Sequence, residues 1–341
     1  MSSNINRTFT VAPMLDWTDR HCRYFMRLLS RHAVLYTEMI TTGALIHGPR
    51  EQLLRFDPAE QPVAIQLGGS DPADLAQCAK MAEDEGYSEI NLNVGCPSDR
   101  VQSGRFGACL MAEPQLVADC MAAMINAVDI PVTIKSRIGI DRNDSLDELT
   151  KFVETVKQSG TETFIIHARK AWLDGLSPKE NRDIPPLHYD RVYKIKENFP
   201  DLEIIINGGI QTLEQAQSHL AHVDGVMLGR EMYHNPYLLS QVDAMFYDEA
   251  SASPSREEVV ALLAPYVARH IEEGGHLQHI SRHIIGLFQA VPGAKIWRRH
   301  ISQNAHLKGA DYSVITKALE LVAEERNRML ARTEAYVGEN H

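Results

Sequence analysis

A thiol on a bent loop is the first group of this chain that could do chemistry. Cys96 lies in Asn91-Leu92-Asn93-Val94-Gly95-Cys96-Pro97-Ser98, where an apolar-alternating strand runs into a turn built by Gly95 and Pro97. Free thiols titrate near about 8.5 and stay protonated near neutrality, so a cysteine here can act as a catalytic acid. A nucleophile would want an activating base beside it, and the sequence leaves that alternative open. The following run, Asp99 to Cys109, is polar, basic and broken by Gly104 and Gly107, the pattern of a hinged lid. Cys22, Cys78, Cys109 and Cys120 read instead as small buried hydrophobes. Five cysteines without a C-x-x-C pair point neither to a disulfide framework nor to structural zinc.

A second set of chemical groups ends successive apolar runs: Gln66, Asn93, Lys135, His167 and Asn207. Lys135 could neutralise an electron-rich ring such as a reduced flavin, and His167 could donate a hydrogen bond to the same ring. Taken singly, each has a bland reading, a lysine reaching solvent or a satisfied histidine, and only their joint placement favours function. Asn207-Gly208-Gly209 and Gly229-Arg230 put glycines where backbone N–H groups can approach a phosphate, although tight turns would use the same residues. His270, His276, His279 and His283 contain an i, i+4 pair, but no acidic ligand set accompanies them. They read as a solvated helix face, and no metal is expected.

Eight short apolar strands must position these groups: Phe9 to Pro13, Ala33 to Met39, Pro62 to Leu67, Glu89 to Val94, Pro131 to Arg137, Glu162 to Ala168, Glu203 to Asn207 and Gly225 to Leu228. Helical segments alternate with them, which predicts an α/β fold with a parallel sheet closed as a (β/α)₈ TIM barrel, whose strand ends meet at one mouth. Period-two alternation sets Asn91 with Asn93, Thr133 with Lys135, and Ile165 with His167 on common faces. Asp71-Pro72 starts a helix that Gly86 ends, and Thr212-x-x-Gln215 has capping-box spacing. The small polar run from Asp248 to Pro254 reads as a linker. The expected domains are therefore a barrel over residues 1–250 and a small all-helical C-terminal domain over 255–341. That domain opens on the capping box Ser255-x-x-Glu258 and an apolar stripe of Val259, Leu262, Leu263, Tyr266 and Val267, with Pro265 a candidate kink. Tyr312 to Ala335 reads as a long final helix.

Composition sets outer limits. The chain has 341 residues, 44% of them hydrophobic, and a net charge of −11. Residues 1–254 hold 23 basic against 35 acidic side chains, whereas 255–341 hold 11 against 10. A polyanionic partner would have to be gripped by local basic patches, and the C-terminal part is the better place for one. Such patches occur at Lys295-Ile296-Trp297-Arg298-Arg299-His300, at Arg282 with His283, and at Lys179 with Arg182. A solvated helix with its tryptophan buried would look the same. No run is apolar for the roughly 18 residues of a membrane span, and Met1 to Thr10 lacks the regions of a signal peptide, so a cytoplasmic protein is expected.

These residues together resemble the flavin-dependent tRNA-dihydrouridine synthases, most closely their A-type branch. The matching motifs are Ala12-Pro13-Met14, Asn91 to Ser98, the loop from Asp99 to Met111, Lys135 with Arg137, His167-Ala168-Arg169-Lys170, Asn207-Gly208-Gly209, Gly229-Arg230, and the segment from Trp172 to Pro186. The resemblance implies bound FMN, with Ala12, Pro13 and Met14 backing the ring and Gln66, Lys135 and His167 at its polar edge. Its phosphate would rest on Asn207 to Gly209 and Gly229 to Arg230. It further implies NADPH as reductant and the uridines U20 and U20a of the tRNA D-loop as substrate, with hydride passing from flavin N5 to uracil C6 and a proton from Cys96 to C5. Asn93 and Arg169 would contact the extruded base, and Lys179, Arg182, Lys295 and Arg298 the tRNA phosphates. The helical domain would bind tRNA, and no obligate protein partner is implied. Two rivals keep less of this: a flavin barrel acting on a free pyrimidine or enone, and a non-redox phosphate-binding barrel or RNA chaperone.

Overall fold

Runs rich in Val, Ile and Phe, apolar on both faces, make strands that must be covered on both sides. In the computed structural model, which describes residues 5–98, 102, 104–249 and 253–338, eight such strands close a parallel barrel in chain order. They are β1 Phe9–Val11, β2 Val34–Thr41, β3 Val63–Gly68, β4 Glu89–Val94, β5 Val132–Arg137, β6 Thr163–His167, β7 Glu203–Asn207 and β8 Gly225–Leu228. Each lies within two residues of its expected span. β1 stops short because Pro13 has no N–H, and Ala12 makes the last bond, to the Leu228 carbonyl at 2.8 Å. No helix among the described residues is long and apolar enough to cross a membrane.

Register carries the expected common faces around the barrel. Gln66 pairs with Asn91, Asn91 with Thr133, Asn93 with Lys135, Arg137 with His167, and His167 with Asn207. Polar strand ends that are distant in sequence therefore form one ring. Below it the interior is filled by Val34, Tyr36, Ala64, Ile165, Ile205 and Met227. At the floor, Arg7 is buried between Glu89, at 2.6 Å, and Glu203, at 2.8 Å, while Tyr36 and Thr133 each donate a 2.6 Å hydrogen bond to Glu89.

Local capping follows sequence chemistry, with one departure. Asp71 caps the helix Pro72–Glu85, and Gly86 ends it in the left-handed region at φ 99°. Thr212 accepts from the Gln215 amide, but the Gln215 side chain reaches back to the amide of Gln211 rather than to that of Thr212, so the box is only half formed.

The described chain divides into two compact units, one of Met1–Arg23 with His32–Gly229 and one of Tyr24–Arg31 with Arg230–His341. The second is helical. Its longest helices are Arg256–Glu272, Ala294–Asn304 and Ser313–Gly338. Ser255 and Glu258 form the full capping box, and the first of these helices continues through Pro265. Val259, Leu263, Tyr266 and Val267 are buried as expected, but Leu262 is 51% exposed, because the stripe is narrower than its apolar run. Trp297 is buried against Phe288 and donates to the Ile284 carbonyl, which makes it core and leaves no stacking face for a base. The expected solvated histidine face is corrected: His270 and His283 are buried, and the helix Leu277–Ser281 ends before His283, so His279 and His283 do not share a face of it.

Candidate active site

The loop after β4 is built around one amide. Asn93, the inward-facing residue near the end of β4, turns its Oδ1 to accept the backbone N–H of Gly95 at 3.1 Å and of Cys96 at 3.0 Å. The Cys96 carbonyl accepts from the Ala108 amide at 2.8 Å. Gln102 donates to the carbonyls of Pro97 and Leu173. The half-buried Cys96 sulfur lies 3.5 Å from Ser98 Oγ. Its closeness to Lys135 and Arg137 is enough for it to perturb both electrostatically. The other thiols behave as expected in part: Cys22, Cys78 and Cys120 are buried, and burial pushes Cys78 up to about 11 and Cys120 to about 12, whereas Cys109 is only half-buried. Of the lid expected over Asp99 to Cys109, Asp99, Arg100, Val101 and Ser103 lie outside the described residues.

Cations gather around that thiol. Burial pulls Lys135 down to about 7, and repulsion from Arg137 adds to the effect. Arg137 falls to about 10, again through burial, with Arg182 and Arg169 contributing. His167 is held well below its ordinary value by burial and by Arg137, Lys135, Arg169 and Arg182, so it is neutral near pH 7. Lys135 and Arg137 make no ion pair among the described residues. A site that collects positive charge without a carboxylate is arranged for an anion.

The turn after β7 explains its own glycines. Gly208 and Gly209 have φ of 115° and 70°, and a Cβ on Gly208 would sit 2.5 Å from the His167 ring. Gly208 is thus needed for His167 to lie where it does. The amides of both glycines make no hydrogen bond among the described residues, so they can serve an anion as well as the turn. Across the mouth, a Cβ on Gly229 would lie 3.6 Å from Ala12 and 3.8 Å from the Met14 sulfur. Ala12, Met14 and Gly229 are therefore neighbours, with Pro13 between the first two. This arrangement fits a flat ring carrying a phosphate: an apolar patch after β1, cations on β5 and just after β6, and, after β7, backbone amides with no hydrogen bond among the described residues. Gln66 faces the same interior with both amide ends engaged, by Asn91 and Asn93.

The other expected residues are divided between the two units. Arg230 opens the short helix Arg230–His234 of the second unit. Lys179 and Arg182 are exposed, and Arg182 and Arg169 are near enough to the mouth to act on His167. In the helical unit Lys295 is exposed, and Arg298, held by Gln289 at 2.9 Å, lines an open cavity of about 500 Å³ with Arg282 and Tyr233.

In the sequence Arg137 is only part of a motif shared with Lys135; in the structure it is a clamp. It donates to the carbonyls of Gly95, Lys170 and Asn181, joining the thiol loop to the two segments after β6. Asn181, fully buried, pins that segment through Trp172 and Leu176. The sequence signal was present, since Arg137 is one period-two step beyond Lys135, and Glu89 and Glu203 are the corresponding steps below Asn91 and Ile205.

Comparison with known proteins agrees with this geometry. The sequence profile of the family described as dihydrouridine synthase matches residues 10–323. The chain is 61% identical over 321 residues to the tRNA-dihydrouridine(20/20a) synthase of Shewanella oneidensis, spanning 94% of this chain and 96% of that protein. It is 61% identical over 311 residues to the protein of the same description from Vibrio cholerae, spanning 91% and 95%. Among solved structures, an old yellow enzyme homologue from Zymomonas mobilis superposes with a TM-score of 0.50 at 11% identity, over 73% of this chain and 90% of that one. A complex of 2-naphthoyl-CoA reductase gives 0.53 at 11% identity, over 70% and 50%. At that identity the likeness is one of fold.

Proposed function

This chain belongs to the dihydrouridine synthase family, and on that premise we propose that it reduces the C5=C6 bond of uridine in the tRNA D-loop, at U20 and U20a, as an FMN-dependent oxidoreductase with NADPH as reductant. The observation that carries the reading is a half-exposed thiol beside Lys135, Arg137 and neutral His167, a cluster with no carboxylate ion pair among the described residues.

FMN, when bound, supplies the hydride that adds at uracil C6. Ala12, Pro13 and Met14 would back its ring, Gln66, Lys135 and His167 would meet its polar edge, and Asn207, Gly208, Gly209 and Gly229 would receive its phosphate. Addition at C6 leaves negative charge on the base, which a proton at C5 discharges. Cys96 gives that proton: its S–H bond breaks, a C–H bond forms, and the thiolate left behind lies in the field of Lys135 and Arg137. His167, being neutral, acts as a hydrogen-bond donor and not as a fixed charge. The uridine must leave its stack to reach the mouth. Asn93 spends its oxygen on the loop and one amino hydrogen on Gln66, which leaves its second N–H for the base. Arg169 supports the same contact. Lys179 and Arg182 would meet tRNA phosphates from the barrel, and Lys295 and Arg298 from the helical unit.

The purified protein should be yellow with a flavin absorption doublet, and with NADPH it should form dihydrouridine in tRNA lacking that modification. A colourless protein, or reduction of free uracil but never of tRNA, overturns the reading.

A further inference from the structure

A single line of hydrogen bonds climbs the barrel interior from its floor to the thiol loop. Glu89 receives three donors: Arg7 on one oxygen, and Tyr36 and Thr133 on the other. Thr133 has one hydroxyl proton and gives it to Glu89 at 2.6 Å, so its oxygen is left to accept, and it takes a 2.8 Å bond from Asn91 Nδ2. That orientation turns Asn91 Oδ1 toward Gln66, whose Nε2 donates to it at 2.8 Å. Gln66 Oε1 then faces Asn93, whose Nδ2 donates at 2.8 Å. Asn93 Oδ1 is thereby aimed at the loop, where the N–H groups of Gly95 and Cys96 both bind it.

The line has one direction. A flip of any one amide would set two carbonyls or two amino groups face to face in an interior where every member is buried. The acceptor-only floor thus dictates, four side chains away, which end of Asn93 meets the Cys96 loop. We propose that Thr133 and Asn91 are positioning residues for Cys96, relaying the polarity of Glu89 through Gln66 to Asn93 and so setting the backbone that aims the thiol. The inference rests on Cys96 being the proton donor only where it concerns turnover; the relay itself concerns the loop.

Thr133→Val removes the link while keeping the side-chain shape and the Arg7–Glu89–Tyr36 contacts, and Thr133→Ser restores the hydroxyl. Tyr36→Phe removes a different donor from the same Glu89 oxygen without touching the line. In the flavin-loaded protein, Thr133→Val should change the iodoacetamide alkylation rate of Cys96, read by peptide mass spectrometry across pH, at least ~5-fold, and lower kcat on tRNA ~10–100-fold with KM within about twofold. Thr133→Ser should return both readings to wild type, and Tyr36→Phe should leave the alkylation profile in place. Should Thr133→Val not fold, Thr133→Ala takes its place. An unmoved alkylation profile, or one moved equally by Tyr36→Phe, overturns the relay. If the profile moves as expected in a protein that makes no dihydrouridine, the relay stands and the functional reading falls.

Discussion

The two ends of the barrel treat buried cations in opposite ways. At the floor, Arg7 sits between Glu89 and Glu203, and their attraction raises its pKa despite the burial that opposes charge. At the mouth, Lys135, Arg137 and His167 make no ion pair to a carboxylate among the described residues, and all three are pulled down. The floor acids and the mouth residues occupy inward positions of the same closed sheet, and Arg7 lies just ahead of β1. The difference lies in where the acids stand: β4 and β7 begin with glutamates on the inner face, and the last inward residue of each is an asparagine, Asn93 and Asn207. A compensated floor is built for stability, whereas an uncompensated mouth holds charge in reserve for an anion that arrives later.

Perturbing each end should separate these roles, and the largest effect belongs to the mouth. Cys96→Ala should slow uridine reduction by ~10²–10⁴ while the protein stays yellow and is still bleached by NADPH. Stopped-flow traces of the two half-reactions check it, and normal turnover would remove Cys96 as the acid. At the floor, Arg7→Met leaves buried Glu89 and part-buried Glu203 facing each other and should cost about 3–5 kcal/mol in urea unfolding. A loss confined to activity, with stability intact, would erase the contrast between the ends.

Lys135 tests the contrast through pH. Its folded value of about 7 lies below the ordinary 10.5, so between those values the unfolded chain binds a proton that the folded chain does not. The penalty is full below about pH 7 and fades as pH rises toward 10.5. Lys135→Met should therefore raise the melting temperature of protein stripped of its cofactor by a few degrees at pH 6–7, gain nothing near pH 10.5, and weaken FMN binding at neutral pH. A drop in melting temperature at pH 6 would contradict an uncompensated mouth. The smallest effects belong to the cations outside the barrel mouth. Arg298→Ala and Lys179→Ala should each weaken tRNA binding a few-fold and reduce the slope of log affinity against log salt by ~1, as filter binding at several salt concentrations would show.

Much of the site was legible before any coordinates. The eight apolar runs, the polar residues that end them and the bent Cys96 loop all depend on local pattern, and strand closure placed them together. The resemblance on Asn91 to Ser98 led to the family, which the profile over residues 10–323 then established. What escaped were residues whose partners are remote in sequence. Arg137 bonds to carbonyls at residues 95, 170 and 181, and no spacing rule links those positions. The same holds for His283: helical periodicity predicts a solvated face, but the helix stops short of it and the side chain is buried.

By itself the amino-acid order determined the strands, their period-two faces and therefore which side chains could ever look inward, because backbone alternation is a property of neighbours along the chain. Only the closed structure decided that Lys135 and His167 are pulled toward their neutral forms, that Arg7 keeps its charge, and that Asn93 turns its oxygen to the thiol loop. Solvation and hydrogen-bond direction depend on what is packed across the barrel, and closure alone brings those groups together.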